Sequence, residues 1–501
     1  MQEKLSYVKL LNTKPGSHHW HMSTISIDDD ISLSLSRKQT HSQYPTIKFL
    51  TFNTWGLKFV SKHRKERLKA IADKLAGIRT GVPLPNLESL RDSPDLNTED
   101  TYDVVVLQEI WCKDDWDYLV YRCKDVFPFY RIFYSGIISG PGLAILSKIP
   151  IDSTFLHKFP INGVPSAITR GDWFVGKSIS VTILKALTED TAPLAILNSH
   201  MHAPYALTGE NAYYCHRSCQ AWHFSKIANL YKKAGYAVVI VGDLNSRPGS
   251  LPHTFLTLET GLIDSWEQLN GKQDQGEISK MNPSDQLIFG CTTCDSTLNT
   301  WRSKKRPDEA CRLDYALVDP AKLQTIEAGL RFTERIPNVG SFSDHFAYSC
   351  SLRFLPQDIG LNPVLRNKIY SNSDLNLTRD QLLEKFSTYE ELKLTIASYT
   401  KVAKRRKLIR GAYFWIAIYL LITSITVTSF TSQRAGWSSV FWVIFAIIVS
   451  VFGTINGLIS FLFGRSELRA LMEIEHEVTD AERNLQSVLD MKRTSFILPQ
   501  N

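Results

Sequence analysis

Polar residues able to bind a cation, hold a water or move a proton recur where apolar runs end. Asn53 closes IKFLTFN, Glu109 follows DVVVLQ, His200 closes LAILNSH, Asp243 and Asn245 lie in and after AVVIVGD, and Asp344 and His345 precede FAYSCSL. Singly each has an ordinary structural role, since an Asp at a strand end can cap a turn and a buried His can be a satisfied core residue. Together they are the parts needed to hydrolyse a phosphodiester. A hard cation needs carboxylate and carbonyl oxygens, which Glu109 and Asn53 offer. An attacking water needs a base that titrates near neutrality, the role of a histidine, with a carboxylate to fix its tautomer.

GDWFVGKS, Gly171 to Ser178, fits G-x-x-x-x-G-K-[ST], the pattern of a nucleotide-binding P-loop. That loop requires a helix after its lysine, because the phosphate rests on amides at a helix N-terminus. The residues that follow, ISVTIL, alternate and are β-branched, which predicts a strand. The stretch is therefore read as strand-turn-strand, with Asp172 and Lys177 able to face a cleft. Lys177 would be a point charge for phosphate, and Asp172 could pair with it or with His200. A solvated ion pair at a turn is the other reading.

The elements that must position these residues are short. IKFLTFNTW, DVVVLQEI, GLAILS, KSISVTIL, LAILNSH, AVVIVGDLN, LDYALV and FAYSCSL predict strands, and KERLKAIADKL and HRSCQAWHFSKIANLYKKAG predict helices. Strands alternating with helices between about Ile47 and Leu352 imply an α/β domain. The eight cysteines lack the density of a disulfide scaffold, and Cys291-x-x-Cys294 with Cys311 lacks a second paired half-site for zinc.

Charge is concentrated at one place. KVAKRRKLIR, Lys401 to Arg410, holds six basic residues and no acidic one, against a net charge of +7 for all 501 residues. The remainder is near neutral, unlike a domain built to bind nucleic acid. Gly411 to Phe430 and Trp437 to Gly464 are uncharged runs long enough to cross a bilayer, so they predict a hairpin of two transmembrane helices. The basic decamer places the large N-terminal part on the cytosolic side and would attract anionic headgroups. Leu471, Ile474, Val478, Ala481, Leu485 and Val488 keep a 3-4 spacing, which predicts an amphipathic helix that pairs with a second copy, giving a homodimer, or lies against the catalytic domain.

FNTWG, LQEIW, NSHMHA, GDLNSRPGS, RLDYAL and SDHF, in this order, resemble the endonuclease/exonuclease/phosphatase superfamily. The resemblance implies a deoxyribonuclease-I-like four-layer sandwich: two mixed β-sheets flanked by helices. NSHMHAPY, GDWFVGKS and the double span are similar to the neutral sphingomyelinase branch. That branch implies a Mg²⁺-dependent, membrane-anchored phospholipase C splitting inositol phosphosphingolipids and sphingomyelin into ceramide and phosphorylated headgroup. It also implies stimulation by phosphatidylserine, cardiolipin or phosphatidylglycerol, and residence in the endoplasmic reticulum or mitochondrial outer membrane.

Carried over residue by residue, the resemblance implies Glu109 as principal Mg²⁺ ligand with Asn53 beside it. It implies His345 as general base oriented by Asp314, and Asp243 and Asn245 holding water and phosphate. His200 would stabilise phosphoryl charge, Asp344 would support the metal or its waters, and Asp172 and Lys177 would form an active-site switch; His202 is the least defined. The inositol-lipid 5-phosphatase signature is replaced by EACRLDY, and a nuclease would have no use for two spans. A membrane-tethered nuclease or phosphoinositide phosphatase of this fold is the alternative. The expected organisation is a flexible tail over 1–44, a catalytic domain over 45–355, a linker with the basic segment over 356–410, the spans over 411–464 and the amphipathic tail over 465–501.

Overall fold

The computed structural model describes residues 44–78, 80–84, 101–137, 140–167, 170–206, 208–356, 374 and 377–497. The tail expected over 1–44 lies outside them, apart from Tyr44.

Two six-stranded mixed sheets stack face to face. The first has the order β11-β14-β1-β2-β4-β3, from β1 (Thr46–Asn53), β2 (Val104–Gln108), β3 (Phe129–Ile132), β4 (Ala144–Ser147), β11 (Leu323–Arg331) and β14 (Ala347–Phe354). The second has the order β5-β6-β7-β8-β10-β9, from β5 (Ile151–Lys158), β6 (Ser178–Leu184), β7 (Leu194–His200), β8 (Ala237–Asp243), β9 (Ile263–Asp264) and β10 (Asp314–Val318). A small ribbon, β12 (Arg335–Ile336) with β13 (Gly340–Ser341), stands apart.

Period-two alternation sends each strand's side chains into two cores. Ile47 and Phe49 of β1 meet Ile196, Val239 and Ala316 between the sheets. Leu50 and Phe52 face outward to Leu68, Ile71 and Leu75 of α1 (Arg64–Leu75) and to Leu119 of α2 (Lys113–Cys123). On the outer face of the second sheet, Val181, Leu197 and Ile240 are covered by Trp222 and Phe224 of α3 (Tyr214–Lys233). This is the four-layer sandwich the motifs imply.

All eight expected strands form. The unexpected ones are short or half exposed: β3 has four residues, and the edge strand β5 buries none fully. The strand-turn-strand expected at GDWFVGKS is corrected in its first half, since Asp172–Val175 is one helical turn between Gly171 and Gly176, both at positive φ. Its second half is strand, with β6 starting at Ser178, so no helix follows Lys177 to receive a nucleotide phosphate.

The linker expected over 356–410 is corrected from Arg379 onward. One helix, α4 (Arg379–Thr431), begins at a capping box between Thr378 and Gln381 and runs through the basic decamer into the first apolar run. Its first half is core: Leu382, Tyr389, Leu392 and Ile396 join the cluster around Trp222. After a short turn, α5 (Ser438–Leu458) returns alongside, passes through a π-helical turn at Ile459–Phe463 and continues as α6 (Gly464–Ile497). Leu471, Ile474, Val478, Leu485 and Val488 of α6 are buried in the same cluster. Of the two placements open to that stripe, it lies against the catalytic domain.

Outward-facing side chains on the two apolar runs are the reverse of a soluble core. Trp415, Ile422, Ile425, Ile447 and Ile448 are all more than half exposed. Small residues occupy the seam instead, where Gly453 faces Ala417 and Gly457 faces Phe414. The two helices are long and apolar enough to cross a membrane, and their exposed apolar surface suggests membrane association.

Candidate active site

Parallel pairing of β1 with β2 and of β7 with β8 brings their C-terminal ends to one edge of the sandwich. The register sets Asn53 opposite Gln108, His200 opposite Asp243, and Asp314 of β10 opposite Asp243. Below them, Gln108 Nε2 donates across the sheets to Asn198 Oδ1 at 2.9 Å. The backbone is forced at the rim: Trp55, Glu109 and Asn245 have φ of 49°, 62° and 46°, unusual for residues with side chains and characteristic of functional sites.

Asn53 links the two sheets chemically. Its Nδ2 donates to Glu109 Oε1 at 3.1 Å and to Asp243 Oδ2 at 2.9 Å. Trp111 Nε1 donates to Glu109 Oε2 at 3.3 Å. Burial, with Asp344 nearby, pushes the Glu109 carboxyl up from its ordinary range. Burial pushes Asp243 up as well, to about 7, with Asp314 adding to it while His345 and Asn53 oppose. Two buried carboxylates short of positive charge are a cation's environment, and the oxygens of Glu109, Asn53 and Asp243 suit a hard one. On the same side, the ligand atoms of Asp243, Asp314 and His345 lie within 4.8 Å of one another and could also hold a metal ion.

His345 Nδ1 is 2.8 Å from Asp314 Oδ2, and its Nε2 lies 3.9 Å from Asp243 Oδ2. Burial opposes a proton on this ring, yet the Cys294 sulfur and the Asp314 and Asp243 carboxylates hold its pKa well above the usual histidine range. His200 is the reverse: burial, then Lys177 and His345, drives it well below that range and leaves it neutral. Its Nε2 is 3.6 Å from Asp243 Oδ2 and 4.0 Å from Glu109 Oε1. Asn245 takes Asp243 Oδ1 on its backbone N–H at 3.0 Å and donates through Nδ2 to Met201 O at 3.0 Å. Among the described residues, buried His200 Nδ1 and Asp314 Oδ1 have no hydrogen-bond partner, the state of atoms awaiting water or ligand.

Lys177, 2% exposed, also donates to Met201 O at 3.4 Å, so it enters the cleft beside Asn245. Asp172 pairs with it at 3.3 Å. The other partners of Asp172 are Tyr205 Oη at 2.6 Å and His202 Nε2 at 3.6 Å, not His200. Burial opposes its charge, but Lys177 and His202 keep its carboxyl below the ordinary value. Asp344, near enough to Glu109 to raise its pKa, accepts from Arg302 Nη2 at 2.5 Å and from Ser343 Oγ at 3.3 Å. Ser343 in turn donates to Asn53 O at 2.6 Å.

A sequence profile described as the Endonuclease/Exonuclease/phosphatase family matches residues 50–345, the span from the first site strand to the last site histidine. The chain belongs to this family. Its relatives include an "Inositol phosphosphingolipids phospholipase C" of Saccharomyces cerevisiae, 60% identical over 453 residues, covering 90% of this chain and 93% of the relative. A protein of the same name in Schizosaccharomyces pombe is 33% identical over 448 residues, covering 87% and 94%. "Sphingomyelin phosphodiesterase 2" of Mus musculus is 32% identical over 231 residues, 46% of this chain and 49% of that one. Trp111, Tyr205, Arg302 and Ser343, which touch site residues of this family member, escaped the sequence reading. Trp111 lies within the quoted LQEIW, Tyr205 within NSHMHAPY and Ser343 within SDHF, but nothing local marks Arg302.

Proposed function

We propose that this phosphodiester hydrolase is a Mg²⁺-dependent, membrane-anchored phospholipase C that releases ceramide from inositol phosphosphingolipids and sphingomyelin. The observation that carries the reading is the His345–Asp314 pair at 2.8 Å, converging with Glu109, Asn53 and Asp243 on one buried cleft. The names of the relatives supply the sphingolipid.

Glu109, with Asn53 and Asp243, would hold the cation. Bound there, Mg²⁺ would act as a Lewis acid for a phosphoryl oxygen and the departing alkoxide, and would offset the carboxylate charge that otherwise keeps His345 protonated. Asp314 fixes the Nδ1–H tautomer of His345, so Nε2 is the atom that takes the proton from water. Asn245 and Asp243 position that water. Neutral His200 and Lys177 donate to the phosphoryl oxygens as charge builds on them. Asp172 holds Lys177 in reach, and Asp344 acts through Arg302 and Ser343 on the strand end that carries Asn53.

Residency follows from the apolar hairpin over 411–464, because the substrate does not leave the bilayer. The decamer Lys401–Arg410 would keep the catalytic domain cytosolic and bind phosphatidylserine, cardiolipin or phosphatidylglycerol as activators. The test is incubation of the detergent-solubilised full chain with labelled inositol phosphoceramide and sphingomyelin, in Mg²⁺ or chelator. Magnesium-dependent ceramide release is expected, and none from either lipid sinks the reading. Degradation of plasmid DNA or phosphate release from phosphoinositides by the same sample would favour the tethered nuclease or phosphatase.

A further inference from the structure

β1 leaves the cleft at Asn53 and runs into a loop that the chemistry does not use. Leu57, Phe59 and Val60 on it are 41%, 92% and 66% exposed. Lys58, Lys62 and Lys65 stand exposed among and after them, with the Lys58 ammonium 5.6 Å from the Phe59 ring. The base of the loop is rigid. Buried Arg67 donates to the carbonyls of Thr54 at 3.0 Å, Trp55 at 2.7 Å, Lys62 at 2.9 Å and Phe342 at 2.8 Å. Its guanidinium also lies 4.6 Å over the Trp55 ring, which packs on Trp301. Phe59 is thus held outward by a clamped base, at an energetic disadvantage in water.

Two glycines locate this loop on the cleft mouth. A Cβ on Gly56 would come within 2.1 Å of Glu109 O, and one on Gly142 within 3.1 Å of Glu109 Cα. So the loop after β1 and the loop between β3 and β4 flank Glu109. The second loop carries Tyr134 and Ile137, 72% and 69% exposed. Ile137 N–H donates to Phe174 O at 2.9 Å, and the adjoining Trp173 ring meets the Phe463 ring at 4.8 Å, where the second apolar run ends. Exposed apolar side chains therefore stand on both loops that flank Glu109, and one of those loops is joined through Phe174 to the turn that meets the end of the hairpin.

We propose that Leu57–Val60 is a wedge that enters the headgroup–acyl boundary of the membrane holding the hairpin, with Lys58, Lys62 and Lys65 on anionic lipid phosphates. An apolar tip with a basic collar matches such a boundary on both counts, apolar burial and charge. The wedge sets the cleft mouth at headgroup depth, where a lipid phosphodiester can reach Glu109 and His345 without leaving the bilayer. The inference rests on reading the hairpin as membrane-spanning.

The test uses the full chain with Phe59→Cys on a Cys112→Ser background, labelled with an environment-sensitive nitrobenzoxadiazole and reconstituted in phosphatidylcholine–phosphatidylserine vesicles. The remaining cysteines are buried, so the label reports position 59. Blue-shifted emission quenched by shallow spin-labelled lipid is expected. Unquenched emission from protein that floats with the vesicles overturns the wedge alone. Emission that instead follows the protein-to-lipid ratio means contact with a second copy, and also overturns it. Protein that fails to float overturns the spanning reading and the wedge with it, whereas quenching without ceramide release leaves the wedge standing. In a second arm, Phe59→Ser should lower turnover of vesicle lipid about tenfold, with hydrolysis of soluble bis(p-nitrophenyl) phosphate unchanged. Equal loss on both substrates overturns the proposal.

Discussion

Glu109 is buried in the cleft and Glu467 is partly buried in the helical arm, and their surroundings treat the charge in opposite ways. Glu109 receives an amide and an indole N–H and has the Asp344 carboxylate nearby, so its pKa rises. Glu467 at the start of α6 accepts from Tyr399 Oη at 2.5 Å, with His216 Nε2 at 3.7 Å and Arg406 Nη1 at 3.9 Å. Burial still works against its charge, but these partners hold its pKa below the ordinary value. The rest of the arm is equally balanced: Lys385 lies between Glu259 and Asp374, Lys393 meets Glu482, and Trp222 donates to Glu477. Buried charge with its partners in the chain is structure; buried charge without them marks where something from outside completes the site.

Exchanging the chemistry in the cleft should have the largest effect. His345→Ala or Glu109→Gln is expected to lower ceramide release about 10³-fold, with far-UV circular dichroism unchanged. A loss under tenfold would remove that residue from the reaction. Lys177→Ala should cost about 10²-fold or more, and near-normal activity would return Lys177 and Asp172 to a structural ion pair.

Stability should then separate the two glutamates by sign. Glu467→Gln leaves Arg406 and His216 short of a partner and should destabilise by about 2–3 kcal/mol in urea melts. Glu109→Gln should stabilise the chelator-treated protein, by roughly 1 kcal/mol. The same sign for both would break the comparison.

The pH response follows from the same contrast. Asp243 is raised to about 7, so without cation the stability present below its unfolded value near 3.8 is lost as pH rises through about 7. Melts in chelator at pH 5 and 8 should show that loss, and excess Mg²⁺ should abolish it. Glu467 is depressed, so its contribution is present above the unfolded value and lost as pH falls through the folded one. The gap between wild type and Glu467→Gln should therefore close in acid.

The smallest expected effect is on lipid response. Lys401, Lys404 and Arg405 are exposed, whereas Arg406 is engaged with Tyr399 and Glu210. Changing the first three to Gln should reduce stimulation by phosphatidylserine a few-fold, leaving micelle activity intact, since the three lose their attraction to an anionic surface while the hairpin still holds the chain. An unchanged response would place activation elsewhere.

The strands were legible because a buried strand writes itself locally: VVVLQ and AVVIVGD can be little else. The site residues were legible for a related reason, as polar groups ending such runs. The first half of α4 also left a signal that composition masked. Thr378-x-x-Gln381 is a capping box, and Leu382, Tyr389, Leu392, Ile396, Tyr399 and Ala403 keep a seven-residue repeat, but charged residues around them resembled a linker. Arg302 left none, because its role depends on Asp344 being folded against it.

By itself, then, the sequence determined the eight most buried strands, the residues at their ends and the two apolar runs, since each depends on neighbours along the chain. Only the tertiary structure decided that Asp172 serves Lys177 and His202, that Asp344 goes to Arg302, and that α6 lies on the catalytic domain. These are contacts between residues far apart in sequence, chosen by which surfaces pack and which charges find partners when the sheets close.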